Sequence, residues 1–327
     1  MSIILNTPIT APSAWKGSEL AQDDTWIFHL SDASLSDIAD ALARCHASGV
    51  KAPDMAKEHF PVKGQLKEDI AFFCEELENG RGFILIRGLN KAGYDEEDLS
   101  TIYYGIGLHM GIPVSQNPKG DMLGVVASIA DPNQRDSRVY ETNTYLPYHT
   151  DLSDVVGLLS IRKAKSGGMS SLVSAVTVYN EILNKHPEYI GLLYRPLYYN
   201  HLGEDLPSLT PLFSFHNGKL ACRYLRKYIE DGHAIRNIKL STVEIEALDL
   251  IDSIIHDKTI SMDMMLEAGD IQFANNYTVM HSRTRFEDDD DPEKARRLLR
   301  LWLKMPNARS LAPEFPGRNG IPRVLTS

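Results

Sequence analysis

The sequence predicts an α+β protein in which a mainly helical part, 1–80, packs on a β-rich remainder, 81–327. Three observations carry this. Apolar residues recur at helical spacing through the first third, short β-type runs broken by glycine, proline and polar turns follow Gly120, and no strand ends in a Gly-rich phosphate loop. Strands this short and unevenly spaced favour an antiparallel sandwich or barrel with helical support over a doubly wound parallel sheet. No linker interrupts 1–327, so one domain is expected.

The elements follow in order. Ser34–Ala47 places Leu35, Ile38, Ala39 and Leu42 on one helical face, behind a serine able to cap the start. Gly64–Leu77 repeats the pattern with Leu66, Ile70, Phe73 and Leu77. Gly82–Ile86, a short apolar run ended by Gly88, suits a buried strand, and Asp95–Met110 returns to helix. Strands are then expected at Gly157–Arg162, Ser171–Ser174 and Leu220–Arg223, with helices at Val176–Lys185 and Val243–His256. The apolar stripe of the second helix reads Ile245, Leu248, Ile251, Ile254 and Ile255. Late strands fall at Lys258–Met262, Ile271–Ala274 and Arg297–Lys304, with Glu267-Ala268-Gly269-Asp270 as a turn between two of them.

Composition narrows the class. A net charge of -10 argues against a phosphate-tracking, nucleic-acid-binding face. Cys45, Cys74 and Cys222 are odd in number and form no CxxC pair, which disfavours a disulfide framework or thiolate zinc site and fits a reducing compartment. The N-terminal segment has no basic region followed by a long apolar stretch, and no run is long and apolar enough for a membrane span, so a cytoplasmic location is expected. Nothing requires or forbids a homo-oligomer.

The chemistry centres on Leu146-Pro147-Tyr148-His149-Thr150-Asp151. Two residues apart on an extended chain, His149 and Asp151 project to the same side, close enough for both to reach one metal. A third ligand must come from elsewhere, and His281 closes a β-type run well downstream. Two histidines and a carboxylate make the facial triad of non-haem iron(II), with positions left open for co-substrate and oxygen. A histidine and aspartate this close also recur by chance, so the pair decides little alone. A second feature adds weight. In Arg296–Leu303, Arg296, Leu298, Arg300 and Trp302 share one strand face, and Arg297, Leu299, Leu301 and Leu303 the other. Two arginines on a face otherwise fit for burial need anionic partners, and a bidentate guanidinium clamp on a carboxylate supplies one.

With these residues in view the chain resembles the taurine dioxygenase-like (TauD/TfdA) family of iron(II)/2-oxoglutarate dioxygenases. The likeness runs in order from about Gly82: Pro147–Asp151, Gly167-Gly168-Met169-Ser170, Gly269–Asn276 with His281, then Arg296–Leu303. The resemblance implies a double-stranded β-helix (jelly roll) with surrounding helices. It also implies Fe(II) on His149, Asp151 and His281, with 2-oxoglutarate and O2 as co-substrates. Arg296 matches the arginine that pairs with the distal carboxylate of 2-oxoglutarate. Arg300 matches a position that in some relatives meets an anionic group of the substrate. Ser170 stands where the family usually has a threonine that helps hold the co-substrate, GGMS replacing the commoner GGDT. Asn276 matches an asparagine in the turn before the distal histidine and reads most simply as a turn-forming amide. Relatives that halogenate carbon have a small residue in place of Asp151, so its presence favours hydroxylation or another halogen-free oxidation. The implied substrate is a small carboxylate-bearing molecule such as an amino acid or a secondary-metabolite intermediate.

Other residues leave alternatives open. Arg223–Ile229 is basic and aromatic, either the wall of an anionic-substrate pocket or a solvated strand end. Tyr145, just ahead of the histidine–aspartate pair, is a candidate substrate contact. Asp288–Asp291 lack the alternating ligands and glycine of a calcium loop and read as a solvated acidic loop. His109, His201, His216, His233 and His256 have no ligand partner at useful spacing and read as ordinary histidines. A zinc hydrolase using the same three ligands, or a catalytically silent sensor that binds 2-oxoglutarate, would share most of these residues.

Overall fold

The computed structural model describes residues 3–128, 142–201 and 204–322. After a single helical turn, α1 (Gly17–Leu20), and a short strand, β1 (Ile27–His29), come helices α2 (Asp32–Ser48) and α3 (Gly64–Asn79). Helix α2 begins two residues earlier than the sequence suggests. Ser31 is its cap, accepting the Ser34 amide, while Ser34 is buried and donates to Asp69 of α3 (2.5 Å). The buried face of α2 is Ile38, Ala41, Leu42 and Cys45, with Ala39 turned to solvent. All four apolar positions expected in α3 are buried. Strand β2 (Phe83–Arg87) and helix α4 (Glu96–Met110), capped by Asp95, follow as expected.

The next stretch carries β3 (Ile112–Pro113), β4 (Leu123–Val126), β5 (Leu146–His149), β6 (Val155–Arg162), β7 (Ser166–Gly167) and β8 (Ser170–Ser174). Helices α5 (Ala175–Lys185) and α6 (Ile190–Leu193) lead to two hairpins, β9 (Leu197–Tyr199) with β10 (Ser208–Thr210), and β11 (Phe213–His216) with β12 (Lys219–Cys222). Then come α7 (Arg226–Ile235), α8 (Thr242–Ile255), β13 (Met262–Met264), β14 (Ile271–Asn275), β15 (Val279–Arg283), β16 (Phe286–Glu287) and β17 (Arg297–Lys304).

Three details differ from the sequence reading. Helix α7 was not expected, because its buried face is only Ile229, Gly232 and His233, too thin for an apolar stripe. In α8, Leu248, Ile251 and Ile255 are buried but Ile245 is exposed, and Ala247 takes the inward position. The strand expected at Lys258–Met262 starts only at Met262. The Asp257 carbonyl and carboxylate accept from Thr259, Ile260 and Ser261 and wind that stretch into a turn.

Two sheets pack face to face. The larger has the order β1-β2-β14-β6-β17-β3, with β4 also on β17, and is antiparallel except for the β1–β2 pair. The smaller, β13-β8-β15-β5, is antiparallel throughout. Between them lie Phe83, Val156, Leu298 and Trp302 from the larger sheet and Leu172, Met264 and Val279 from the smaller. The other face of the larger sheet is covered by α2–α4, packed on Phe273, Leu299, Leu301 and Leu303. The outer face of the smaller is covered by α5 and α8, against Val173 and Met280. Strand β17 therefore alternates as its sequence predicts, apolar toward the helices on one side and mixed toward the sheet interior on the other. Among the described residues no helix is long and apolar enough to cross a membrane, and the three cysteines are free.

Helix α4 lies close enough to β17 that a Cβ at Gly107 would stand 2.3 Å from a Leu301 methyl. Leu301 is fully buried at this contact. Leu301→Ala is expected to cost about 2–5 kcal/mol, lowering the urea midpoint of a cooperative transition; a change within about 0.5 kcal/mol would mean that helix and sheet do not share one core.

Candidate active site

Strand pairing builds the site. In the β5–β15 ladder His149 and His281 are directly opposed, so both imidazoles project to the same side, with ring centroids 4.2 Å apart. Past the end of β5 the chain turns, and the Asp151 amide donates to Asn276 Oδ1 (3.0 Å). Asn276 is itself tied down through Nδ2 to the Ser153 carbonyl and hydroxyl (3.1 Å each). It is thus more than a turn-former, since it orients the backbone that carries Asp151. The Asp151 carboxylate then lies 3.7 Å from His149 Nε2 and 3.5 Å from His281 Nε2, too long for good hydrogen bonds. Its Oδ2 also accepts from Trp302 Nε1 (2.9 Å). One ligand atom from each of the three residues falls within 4.8 Å of the others, the one group of this kind among the described residues.

Electrostatics prepare these groups for a cation. His149 Nδ1 is 2.8 Å from the Pro147 carbonyl, which can only accept, so the proton sits on Nδ1 and Nε2 presents its lone pair. Burial, then the nearby His281, pushes His149 down to about 4, leaving it neutral at physiological pH. Burial alone would raise Asp151. The close approach of His281, followed by Arg300 and His149, outweighs burial and holds the carboxyl well below its usual range. Imidazole nitrogens and an ionised carboxylate clustered on one side fit a non-haem Fe(II) ion.

Two cavities meet here. The larger, about 550 Å³, is bounded by His149, Asp151 and Trp302 on the ligand side and by Tyr199, His201 and Arg223 elsewhere. The smaller, about 40 Å³, is lined by His281, Ser170, Arg283, Arg296 and Leu298. His149 and Arg300 border both.

The structure brings most of the sequence candidates together. Arg296 is buried with Nη1 unpartnered, and its guanidinium stacks on Phe286 (5.0 Å), which Arg283 also covers (4.8 Å). Burial, then the charge of Arg283, lowers Arg296 to about 9, the mark of a buried cation short of an anion. Ser170 donates to Gln272 Oε1 (2.7 Å) in the same small cavity. Arg300 lies over Trp302 (5.0 Å) and donates through Nε to Gln116 Oε1 (2.7 Å). Tyr145 stands at the rim, half exposed, its hydroxyl 3.1 Å from His256 Nε2. Arg223 is 3% exposed in the wall of the larger cavity, which overturns the solvated strand end. Arg226 and Lys227, by contrast, open helix α7.

Sequence reasoning passed over His201 as an ordinary histidine. It is 3% exposed, stacked on Tyr199 (5.2 Å), with neither ring nitrogen partnered among the described residues. Gln116, Gln272, Arg283 and Phe286 were missed as well. Gln272 lies within the family-like stretch Gly269–Asn276 without having been singled out, and the other three have no short-range motif, so only the folded chain places them at or beside the cavities. The acidic loop is hydrogen-bonded within the protein: Asp288 accepts the Arg296 amide (2.7 Å) and Asp291 caps the turn at Pro292–Lys294.

Comparison with known proteins agrees with this geometry. The family model "Taurine catabolism dioxygenase TauD, TfdA family" matches residues 51–302. FR-33289 synthase of Streptomyces rubellomurinus (strain ATCC 31215) is 32% identical over 96% of this chain and 94% of its own length. The taurine hydroxylase-like protein SAT17 of Stachybotrys chartarum is 26% identical over 88% of this chain and 77% of its own. Among solved structures, asparagine oxygenase in complex with Fe(II), 2S,3S-3-hydroxyasparagine and succinate superposes with a TM-score of 0.68 at 15% identity, covering 91% of this chain and all (100%) of that one. The non-haem iron oxygenase OrfP in complex with Fe and α-ketoglutaric acid gives 0.62 at 16% identity, covering 85% and 94%. The protein is, by its family, an Fe(II)/2-oxoglutarate-dependent dioxygenase. Within that class the chain belongs to the TauD/TfdA family. The zinc hydrolase alternative is set aside.

The Trp302 hydrogen bond to Asp151 gives a measurable consequence. Trp302→Phe removes the donor while keeping an aromatic ring, and should weaken Fe(II) binding roughly 10–100-fold in a chelator competition; unchanged affinity would separate Asp151 from the metal.

Proposed function

We propose that the protein oxidises, by hydroxylation, a C–H bond of a small carboxylate-bearing molecule such as an amino acid or a secondary-metabolite intermediate. In this reading the two facing sheets form a double-stranded β-helix, and the whole chain, 1–327, works as one dioxygenase domain. The observation that carries the reading is the position of the triad where the two cavities meet, one small and cationic, one large enough for a small substrate. The substrate class is supported by structurally similar oxygenases in complex with 3-hydroxyasparagine and 3-hydroxyarginine.

Each residue has a role in this proposal. His149, Asp151 and His281 hold Fe(II), which when bound supplies the coupled oxidation of 2-oxoglutarate and substrate: RH, 2-oxoglutarate and O2 give ROH, succinate and CO2. Arg296 receives the distal carboxylate of 2-oxoglutarate, neutralising a guanidinium that the fold leaves short of an anion, and Ser170 sits beside it. Arg300, Tyr145 and Arg223 bound the substrate, while Leu152, Trp302 and Ile321 present apolar surface that limits water near the reacting atoms. Free cysteines fit a cytoplasmic enzyme.

Purified under anaerobic conditions and then given Fe(II), 2-oxoglutarate and O2, the wild type should form succinate and His149→Ala should not. Absence of both succinate and 2-oxoglutarate binding in the wild type would sink the proposal, whereas binding without turnover would point to strict coupling to substrate or to the sensor. Arg296→Leu should raise the KM for 2-oxoglutarate by about thirtyfold or more, the scale of leaving a buried carboxylate unpaired. A KM within twofold of wild type would remove Arg296 from that role.

A further inference from the structure

The wall of the larger cavity carries a cationic cluster that neither the metal nor the co-substrate uses. Arg223 follows strand β12, and its backbone is fixed on both sides: its amide donates to the Leu212 carbonyl (2.9 Å) and its carbonyl accepts the Tyr199 hydroxyl (2.6 Å). Its guanidinium, 5.7 Å from the centre of the Phe315 ring, leaves Nε and Nη1 buried without a partner. Burial is the largest influence on it and disfavours its charge, and among the described residues it has no ion-pair partner. Arg318 is itself held by Glu204 and by the Ser208 hydroxyl (2.7 Å), so its charge is matched and that of Arg223 is not.

His201 completes the cluster. Both of its nitrogens are buried and unpartnered, and its ring is held flat against Tyr199. Burial, then the charges of Arg223 and Arg318, pushes it down to about 3, so at neutral pH it is an uncharged imidazole with a donor to spare. A folded protein rarely leaves a buried guanidinium and an adjacent imidazole unsatisfied, because each unmet donor loses the hydrogen bonds it had in water. Both residues line the cavity that also reaches His149 and Asp151.

We infer that Arg223 and His201 form a subsite for an oxyanion carried by the substrate, a carboxylate, sulfonate or phosphonate, on the reading of the larger cavity as the substrate site. The substrate is anchored by its charged end at this wall, and the rest of its carbon skeleton extends toward the triad. Arg300 is less suited to be the sole anchor, since its Nε is engaged by Gln116 and its guanidinium covers Trp302. The small cationic cavity at Arg296 is separate and belongs to the co-substrate in the reading above.

The test is equilibrium binding, by calorimetry, of methylphosphonate, methanesulfonate and acetate to the full chain loaded anaerobically with Fe(II) and 2-oxoglutarate. At least one probe should bind the wild type, and the tightest identifies the oxyanion. Arg223→Gln should weaken that probe by roughly thirtyfold or more, and Arg223→Lys by less, because a point charge replaces a fork of donors. His201→Phe, which keeps a ring and removes both nitrogens, should weaken it about tenfold. If Arg223→Gln does not fold, His201→Phe and Arg223→Lys decide the matter. The subsite is overturned if no probe binds the wild type, if binding survives these substitutions, or if only Arg300→Gln abolishes it. Succinate formation by the wild type, measured without any probe, reports separately on the dioxygenase reading.

Discussion

Everything at this site depends on the register of one pair of strands. His149 and His281 meet because β5 and β15 pair with these two residues opposed. Side chains alternate along a strand, so a slip of one residue would turn one imidazole to the other face of the sheet. The register is held by apolar side chains, since β15 lies between β5 and β8 and its Val279 and Met280 are buried on opposite faces. The third residue of the cluster is placed differently. Asp151 lies beyond the strand, and the Asn276 amide and Trp302 indole fix its backbone and its carboxylate.

Strand β17 joins the site to the rest of the fold. Leu299, Leu301 and Leu303 bury against α2–α4, while Leu298 and Trp302 face the other sheet. The same inward face brings Arg296 and Arg300 to the cavities. Packing on the helical side thus positions charges on the catalytic side, and the cost of burying those charges is borne by a large apolar core. An anion bound there would relieve that cost and so stabilise the folded state in proportion to its occupancy.

The larger cavity is assembled from distant segments: the strand around His149, Tyr199 with His201, residues between Arg223 and Asp231, and the end of β17. Its cations are unequal in character. Arg300 is braced by Gln116 and Trp302 and Lys227 pairs with Asp231, while Arg223 has rigid backbone contacts and an unsatisfied head group. Rigid placement with unmet hydrogen-bonding capacity is what a binding group needs, because little conformational freedom remains to be lost when the ligand arrives.

Much of this was legible before folding. Local chemistry set α3, α4, α5, β6, β14 and β17, and the alternation within Arg296–Leu303 announced a strand with two different faces. His149, Asp151, His281 and Arg296 were readable through spacing, residue type and family resemblance. Elements whose patterns are weak were lost: α7, with one large apolar residue facing inward, and the turn that Asp257 imposes on the stretch before β13. The sequence by itself determined the ligand types and the strand faces, because alternation and side-chain chemistry are local properties. Only the tertiary structure decided that His281 stands opposite His149, that Asn276 holds Asp151, and that His201 and Arg223 share a buried wall. Those relations join residues far apart in the chain, and partner choice over such separations is set by packing rather than by any local pattern.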